Sequence, residues 1–473
     1  MTNSKITRLA IVGAGGAAKN LIGSIAPSKS LSNKYKITGL FDDDDKKINT
    51  SIEGYKVLDK ISNISKHTDF FDSIVIAVPS CTESQFKKIY NYCLKTKKNI
   101  KTVPAYGEIL NSPQTISSVR DINIEDLIHR KEMPINRKTI EEIIKDEIVL
   151  VTGGAGSIGS VIIKQCLNGS AKKVICIDNS EFNTYNLQKE ISSKNLVCIT
   201  ADIKDKNLME IYFKKFKPEI VFHAAALKHV NLQEDDIRNT LLTNFYGTEN
   251  ILDCSENIGV KDFVLISTDK AVEPSNNMGL SKRLAELLLS KRFDNKKINL
   301  SIVRFGNVVG SSGSVLNLFS DLIREKKDLL ITHPKVKRFF MSIEEACYLV
   351  IQSITINSKK SNICMIDMGN EIYIKDIAET LIHLNNLVPN KDVNIKYSKL
   401  RKGEKLSEKL EYSFERRIST NVNKLIVLEN LNTFEESDFE TFKIELLKMI
   451  YAENIKSSEI EFFIYKSLKK YLS

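Results

Sequence analysis

The side chains with the clearest chemical potential in this sequence are those of Thr268, Asp269 and Lys270, which bring a hydroxyl, a carboxylate and an amine together. They follow an apolar run, residues 263–266, whose lack of polar alternation predicts a strand buried within a parallel sheet. Ligands of open α/β sheets bind beyond the carboxyl ends of the strands, so these three groups are expected beside a ligand. The competing interpretation is a solvated turn in which Asp269 and Lys270 form an exposed ion pair.

Two further residues extend this candidate site. Met278 and Lys282 are four residues apart, which puts them on one face of a helix predicted to begin after the loop around Pro274. The helix therefore brings a thioether and an amine to the ligand position predicted for the triplet.

A glycine-rich stretch upstream predicts a dinucleotide site. The strand at 148–151 leads into TGGAGSIG, in which Gly153 makes the tight turn, Gly156 admits a pyrophosphate and Gly159 allows close helix packing. The next strand ends at Asp178, whose carboxylate can bind ribose hydroxyls and would repel a 2′-phosphate, so the predicted cofactor is NAD. The predicted cofactor-binding residues are Gly153, Gly156, Ser157, Ile158, Gly159, Asp178, Asp202, Ile203, Ala224, Ala225 and Lys282.

The β/α alternation along the chain predicts an α/β protein with two Rossmann-like units. The first contains a weaker motif, GxGGxA at Gly13, Gly15 and Gly16, so it is either a second nucleotide site or a regulatory or scaffolding domain. The expected domains are an N-terminal Rossmann-like domain (1–112), a connector (113–146), an NAD-binding catalytic domain (147–430) and a helical C-terminal segment (431–473).

Composition excludes several classes of function. The 473 residues have a formal charge of +10, but the basic residues are scattered, which disfavours nucleic-acid binding and is compatible with an anionic substrate. The eight cysteines form no CxxC pair and the six histidines show no ligand spacing, so reduced thiols and no metal are expected. The sequence has no apolar run long enough to span a membrane and no signal peptide, so we expect a cytoplasmic protein, with peripheral docking at the inner membrane face still compatible.

The motifs TGGAGSIG, HAAALKHV, STDKAV, MxxxK and RFGNVVGSSGSV together resemble the extended short-chain dehydrogenase/reductase superfamily. More narrowly, they resemble the nucleotide-sugar 4,6-dehydratases of the CapD/WbpM-like polysaccharide biosynthesis group, and the resemblance covers about residues 8–412. It implies two doubly wound parallel-sheet domains, the second with a small sugar-nucleotide-binding subdomain. Long members often begin with membrane helices, and no such helices are predicted here.

The resemblance also implies a chemistry. Tightly bound NAD oxidises the sugar at C4, a base removes the C5 proton, an acid protonates the leaving C6 hydroxyl, and hydride returns to C6. Lys270 and Asp269 are the expected base and acid, Thr268 grips the C4 oxygen, and Lys282 holds the nicotinamide ribose. Met278 stands where the superfamily has a catalytic tyrosine; long members share this methionine, and the group that deprotonates the C4 hydroxyl stays open.

The expected substrate is UDP-N-acetylglucosamine and the expected assembly is a homo-oligomer. Arg338 and Arg401 are candidates for the diphosphate, and Glu404 for a ribose hydroxyl, each with a surface salt bridge as the competing interpretation. Asn231 and Lys402 replace prolines common in the family. The alternatives are an NAD-dependent C4 epimerase and a non-catalytic nucleotide-sugar sensor. The predicted substrate-binding residues are Lys228, His229, Asn307, Arg338, Arg401 and Glu404.

Overall fold

A computed structural model describes most of the chain as two compact units. The described residues are 6–25, 32–103, 120–121, 135–293, 298–356, 361–385, 387–430 and 436–472. The first unit comprises Met1–Pro134, Phe319–Leu329 and Asp376–Lys396, and the second comprises Ile135–Leu318, Leu330–Lys375 and Tyr397–Ser473. The predicted connector, 113–146, lies outside the described residues apart from 120–121 and 135–146.

The first unit is built on a sheet that, over the described residues, has seven strands in the order β3-β4-β2-β1-β5-β6-β7. Its central strand contains the apolar run of residues 9–12, which is completely buried because its side chains alternate between two apolar clusters, Ala10 and Val12 in one and Leu9 and Ile11 in the other. The strands are β1 Thr7–Val12, β2 Tyr35–Phe41, β3 Ser51–Ile52, β4 Tyr55–Asp59, β5 Ser73–Ile76, β6 Asn99–Thr102 and β7 Arg120–Asp121.

The second unit contains a sheet of nine strands within the described residues, in the order β10-β9-β8-β11-β12-β13-β18-β22-β21. The first seven are parallel to their neighbours, whereas β22 and β21 extend the sheet in antiparallel fashion. This confirms the predicted α/β class and adds two strands that the sequence analysis did not predict. The nine strands are β8 Ile148–Thr152, β9 Lys173–Asp178, β10 Leu196–Thr200, β11 Ile220–His223, β12 Asp262–Thr268, β13 Asn299–Phe305, β18 Ile363–Ile366, β21 Glu415–Ser419 and β22 Leu425–Asn430.

Short strands and helices complete the described structure. The short strands are β14 Asn307–Val309, β15 Leu329–Ile331, β16 Lys337–Arg338, β17 Phe340–Ser342, β19 Ile372–Tyr373 and β20 Ile395–Tyr397. The α-helices are α1 Gly16–Ile25, α2 Glu83–Leu94, α3 Arg137–Ile144, α4 Ser157–Asn168, α5 Glu181–Glu190, α6 Lys206–Phe216, α7 Val230–Gln233, α8 Ile237–Leu241, α9 Gly247–Ile258, α10 Asn277–Arg292, α11 Val315–Arg324, α12 Ile343–Gln352, α13 Ile374–Leu384, α14 Glu436–Tyr451 and α15 Ser457–Leu472.

Helix α10 lies inside the second unit and carries Met278 and Lys282 on its first turns. It is buried almost along its whole length, because apolar residues of α14 and α15 belong to the same core as its leucines. The predicted C-terminal helical segment is thus part of the core that supports the site.

Among the residues that the structure describes, no helix is long and apolar enough to cross a membrane. The same residues hold no cluster of three or more histidine, cysteine or carboxylate side chains that could bind a metal ion.

Candidate active site

The glycine-rich turn between β8 and α4 forms a tight cradle. Gly153 has a φ of +62°, and a Cβ atom there would lie 2.6 Å from the backbone nitrogen of Ala225. A Cβ atom on Gly159 would lie 2.2 Å from the carbonyl oxygen of Gly153, so this position is closed to any side chain. The conformation of the turn therefore requires glycine at both positions, and it leaves backbone N–H groups at the start of α4 for an anion.

Asp178 closes one end of the cradle. Its Oδ2 accepts a hydrogen bond from the backbone N–H of Ala155 (3.1 Å), and its Oδ1 accepts one from that of Ser180 (2.9 Å). The carboxylate is thereby held at the end of β9, beside the turn. Asp202 is fixed similarly at the end of the next strand, where its Oδ1 accepts from the backbone N–H of Lys204 (2.9 Å).

A single cavity of about 640 Å³ connects this cradle with the end of β12. It brings together most of the residues predicted from the sequence, including those proposed for a cofactor and those proposed for proton transfer. The predicted residues that line it are Gly153, Gly156, Ser157, Ile158, Gly159, Asp178, Asp202, Ile203, Ala224, Ala225, Lys228, His229, Thr268, Lys270, Met278, Lys282 and Asn307. The predicted residues that do not line it are Asp269, Arg338, Arg401 and Glu404.

Thr268, Asp269 and Lys270 form a connected group at the end of β12. The Lys270 Nζ lies 3.0 Å from the Asp269 Oδ1 and donates to the Asn307 Oδ1 at 3.3 Å. The Thr268 hydroxyl donates to the same Asp269 oxygen at 2.9 Å. Asp269 is fully buried and the Lys270 side chain is 18% exposed, so the two do not form an exposed ion pair. The second Asp269 oxygen, Oδ2, has no hydrogen-bond partner among the described residues.

Lys282 lies deeper in the cavity wall. Burial lowers the pKa of its ammonium to about 8, although the nearby Glu286 carboxylate acts in the opposite direction. Met278 is buried one helical turn earlier. The helix therefore presents a thioether without a proton to give and an amine that can change charge in the mildly alkaline range.

His223 lies below the cavity and was not among the residues predicted from the sequence. Its Nδ1 is 2.6 Å from the Thr152 hydroxyl, and its Nε2 is 2.9 Å from the Thr248 hydroxyl. Since Thr248 donates its own proton to the Asn244 carbonyl oxygen, it accepts from Nε2–H, and Nδ1 accepts from Thr152. Burial, with a contribution from the Lys282 charge, lowers the pKa of His223 to about 3. The ring is therefore a neutral structural link between β8, β11 and α9.

The loop that follows β14 crosses to the cradle. The backbone N–H of Ser312 donates to the Ser157 hydroxyl (2.9 Å), and the Lys228 Nζ donates to the Ser312 carbonyl oxygen (2.8 Å). Burial lowers the pKa of Lys228. His229 packs on Gly313, where a Cβ atom would lie 2.5 Å from the imidazole Cε1. The structure thus brings Lys228 and His229 to the loop over the cavity.

Arg338, Arg401 and Glu404 gather in a separate cluster. The Arg338 Nη2 lies 3.4 Å from the Glu404 Oε1, which also accepts from the Thr332 hydroxyl at 2.8 Å. The other Glu404 oxygen accepts from the backbone N–H of Arg401 at 3.2 Å. Arg338 is buried and Arg401 is exposed. The roles proposed for these residues at a nucleotide stay predictions.

Glu408 lies near Arg338 of that cluster and near Lys270 and Asp269, and it was also missed by the sequence analysis. Its Oε1 lies 4.0 Å from the Arg338 Nε and its Oε2 lies 3.8 Å from the Lys405 Nζ. Burial raises the pKa of Glu408, and the charge of Asp269 adds to this effect, whereas Lys270, Arg338 and Lys405 oppose it. The segment GEKLSEKL held this residue, but nothing in its spacing indicated that Glu408 would be buried near Lys270.

The first unit contains a turn of the same kind. The backbone N–H of Ala14 donates to the Asp42 Oδ2 (2.7 Å), and the Asp42 Oδ1 accepts from the backbone N–H of Asp44 (2.9 Å). The pattern matches that around Asp178. Here, however, the carboxylate is also paired with the Lys47 Nζ at 3.1 Å, so its charge is already balanced within the unit.

Comparison with known proteins gives consistent matches. Residues 149–430 match the family described as polysaccharide biosynthesis protein, and residues 8–83 match the PglD N-terminal domain. The chain is 35% identical over 411 residues to the probable polysaccharide biosynthesis protein EpsC of Bacillus subtilis, covering 85% of this chain and 68% of that protein.

Two further proteins match parts of the chain. A UDP-N-acetylglucosamine 4,6-dehydratase (inverting) of Campylobacter jejuni is 33% identical over 268 residues, which cover 55% of this chain and 76% of that protein. The structure of Pen from Bacillus thuringiensis superposes with a TM-score of 0.57 at 27% identity, over 64% of this chain and 98% of that one.

Proposed function

Because the chain belongs to the polysaccharide biosynthesis protein family, within the extended short-chain dehydrogenase/reductase superfamily, we propose that it is an NAD-dependent UDP-N-acetylglucosamine 4,6-dehydratase. The product would be a UDP-linked 4-keto-6-deoxy sugar for a surface glycan. The observation that carries the proposal is the Asp269–Lys270 pair, in which Lys270 lines the same cavity as Lys282 and contacts the fully buried Asp269. Dehydration needs a base that removes the C5 proton and an acid that protonates the leaving C6 hydroxyl, in addition to the groups that support oxidation at C4.

The cradle supports NAD as the resident cofactor. Gly153 and Gly159 permit the tight turn that leaves the backbone N–H groups at the start of α4 for a pyrophosphate, and the Asp178 carboxylate would receive adenosine ribose hydroxyls. A 2′-phosphate at the same position would meet this negative charge. When bound, NAD supplies the acceptor and donor of the hydride that leaves C4 and returns to C6. Lys282 would hold the nicotinamide ribose.

The chain's own residues then move the protons. The Thr268 hydroxyl orients the C4 oxygen, and the Lys270 amine takes the proton from C5 once the neighbouring carbon is a ketone. Asp269, which reaches the cavity only through its hydrogen bonds to Thr268 and Lys270, would be the source of the proton for the leaving C6 hydroxyl. Lys270 and Asp269 are in direct contact (3.0 Å), so the proton that Lys270 takes from C5 would pass to Asp269. This transfer would return both residues to their starting protonation states without a further group.

Arg338, Arg401 and Glu404 would hold the nucleotide end of the substrate. A guanidinium matches two phosphate oxygens, and Glu404 already orders the Arg401 backbone and the Arg338 side chain. Lys228 and Asn307, which line the cavity near the loop after β14, would contact the sugar. We also propose that the enzyme acts in the cytoplasm as a homo-oligomer.

The mass of the product tests the function directly. Incubation of the purified chain with UDP-N-acetylglucosamine should give a product lighter by one water. A product of unchanged mass with inverted C4 would instead identify an epimerase, and unconverted but bound substrate would identify a sensor. A Lys270→Met variant serves as the matched control, because it should retain cofactor and form little product.

A further inference from the structure

The catalytic triplet is held at both of its ends by buried hydrogen bonds. On one side, the Ser267 hydroxyl donates to the Glu286 Oε1 at 2.6 Å. On the other side, the Ala271 carbonyl oxygen accepts a hydrogen bond of 2.9 Å from the Tyr412 hydroxyl. Ser267 and Ala271 immediately flank residues 268–270, so these two bonds bracket the groups proposed for proton transfer.

The two bonds belong to one continuous network. Arg304 donates through Nε to the Glu286 Oε1 (2.7 Å) and through Nη1 to the Glu415 Oε2 (2.7 Å). The backbone N–H of Tyr412 donates to the same Glu415 oxygen at 2.8 Å. Starting from Ser267, the path therefore runs through Glu286, Arg304, Glu415 and Tyr412 and ends at Ala271, which closes a ring around the triplet.

The ring is buried and its charges are balanced. Two arginines, Arg283 and Arg304, face two carboxylates, Glu286 and Glu415, and the Arg283 guanidinium stacks 4.4 Å above the Tyr412 ring. Burial raises the pKa of Tyr412 to about 12, so its hydroxyl keeps its proton as a donor at neutral pH. Removing one of the charged groups would leave an unpaired charge in the interior, whereas removing the tyrosine hydroxyl would leave all four charges paired.

The bond to Ala271 acts on a short segment that depends on it. Residues Asp269–Ala271 form a single 3-10 turn, which is closed by a bond from the Val272 N–H to the Asp269 carbonyl (3.2 Å). Glu273, which follows, has a φ of +45°, a conformation that is costly for a side chain of this kind. A turn of this size does not fix its own orientation, and two side chains from a distant part of the sequence hold its end: Tyr412 at the Ala271 carbonyl and Lys405 at the Val272 carbonyl (2.9 Å).

We propose that Tyr412 is a positioning residue that orients Asp269 and Lys270 by anchoring the Ala271 carbonyl, and that it serves the reaction without touching the substrate. The expected loss of turnover rests on the proposed function. The expected rise in amide exchange over residues 268–272 rests on the hydrogen-bond network alone. Arg401 and Glu404, which are proposed to hold the nucleotide, shortly precede Tyr412 in the sequence, so the chain itself connects them to the turn at Asp269–Ala271.

The test compares Tyr412→Phe with Tyr246→Phe. Both substitutions remove one tyrosine hydroxyl that donates to a backbone carbonyl, but Tyr246 is partly buried and bonds to Lys443 on α14 (2.6 Å), outside the ring. Amide hydrogen exchange over residues 268–272 should rise in Tyr412→Phe and stay as in the unsubstituted chain in Tyr246→Phe. The turnover number should fall about 10- to 100-fold in Tyr412→Phe only, with unchanged KM and cofactor content, because misplacing a reacting group slows the chemical step.

The outcomes separate this inference from the proposed function. If the unsubstituted chain does not dehydrate the sugar nucleotide but exchange at 268–272 still rises selectively in Tyr412→Phe, the positioning role stands and the dehydratase assignment fails. If the unsubstituted chain is active and Tyr412→Phe leaves either exchange or turnover unchanged, the positioning role is overturned. Should Tyr412→Phe not fold, Ser267→Ala opens the ring at its other end and must raise exchange over the same residues.

Discussion

Acidification should weaken the second unit through His223, and the size of the effect follows from its surroundings. The neutral ring is held between two threonine hydroxyls and its pKa is lowered to about 3, whereas in the unfolded chain it should titrate near its ordinary value of about 6.5. Protons therefore bind the unfolded state first. The stabilising contribution is complete above about pH 6.5 and is lost as the pH falls from there towards about 3.

The expected loss between about pH 7.5 and about pH 5.5 is about 1.4 kcal/mol in the free energy of unfolding, and it reaches about 4 kcal/mol near pH 3. His223→Gln removes the titrating group but keeps a side chain that can both donate and accept. The pH-dependent loss in the variant should therefore be smaller by about 1.4 kcal/mol over the same interval.

Urea denaturation at the two pH values measures the free energy of unfolding. Hydrogen exchange of peptides from β11 then reports on the unit that contains His223. A nitrogen NMR titration of the native chain should also show a neutral imidazole with a protonated Nε2 down to about pH 4. Equal pH-dependent losses of unfolding free energy in the unsubstituted chain and in His223→Gln would refute the assignment of a neutral His223 to the folded state. An imidazole that protonates near pH 6 in the native state would refute it as well.

Three other predictions concern the cofactor and the nucleotide. Cofactor released by denaturation should be NAD, and Asp178→Ser should bind NADP more tightly than the unsubstituted chain does; NADP as the sole native cofactor would contradict the role of Asp178. Arg401→Ala should raise the KM for the sugar nucleotide about 10- to 150-fold, through loss of one charge-assisted contact, and an unchanged KM would show that Arg401 does not contact the nucleotide. Gly159→Ala should abolish cofactor retention in a folded chain, because its methyl group would lie 2.2 Å from the Gly153 oxygen, and normal retention measured by absorbance would contradict the tight turn.

The parts of the site that depend on local sequence could be predicted. The turn at Gly153 and the carboxylate at Asp178 lie within one strand–helix–strand segment, and their geometry follows from steric limits on the backbone. The same holds for the strand that ends at Thr268, since a short apolar run indicates burial on both faces. The α/β fold was therefore accessible from motifs and spacing.

Contacts between residues that are far apart in the sequence could not be predicted in this way. Tyr412 and Ala271 are 141 positions apart, and His223 meets Thr152 across 71 positions. Whether a tyrosine or histidine lies in the core beside such a partner depends on tertiary packing, which leaves no periodic signal in the sequence. The buried position of Glu408 near Lys270 has the same origin.

The central claim is that Lys270 removes the C5 proton during dehydration. The most direct measurement is the mass spectrum of the product formed from UDP-N-acetylglucosamine in heavy water by the unsubstituted chain and by Lys270→Met. The unsubstituted chain should give a product that has lost one water and carries one solvent deuterium at C5, and turnover in Lys270→Met should fall on the order of 10²–10⁴-fold with cofactor retained. A product without deuterium at C5, or near-normal turnover in Lys270→Met, would contradict this account.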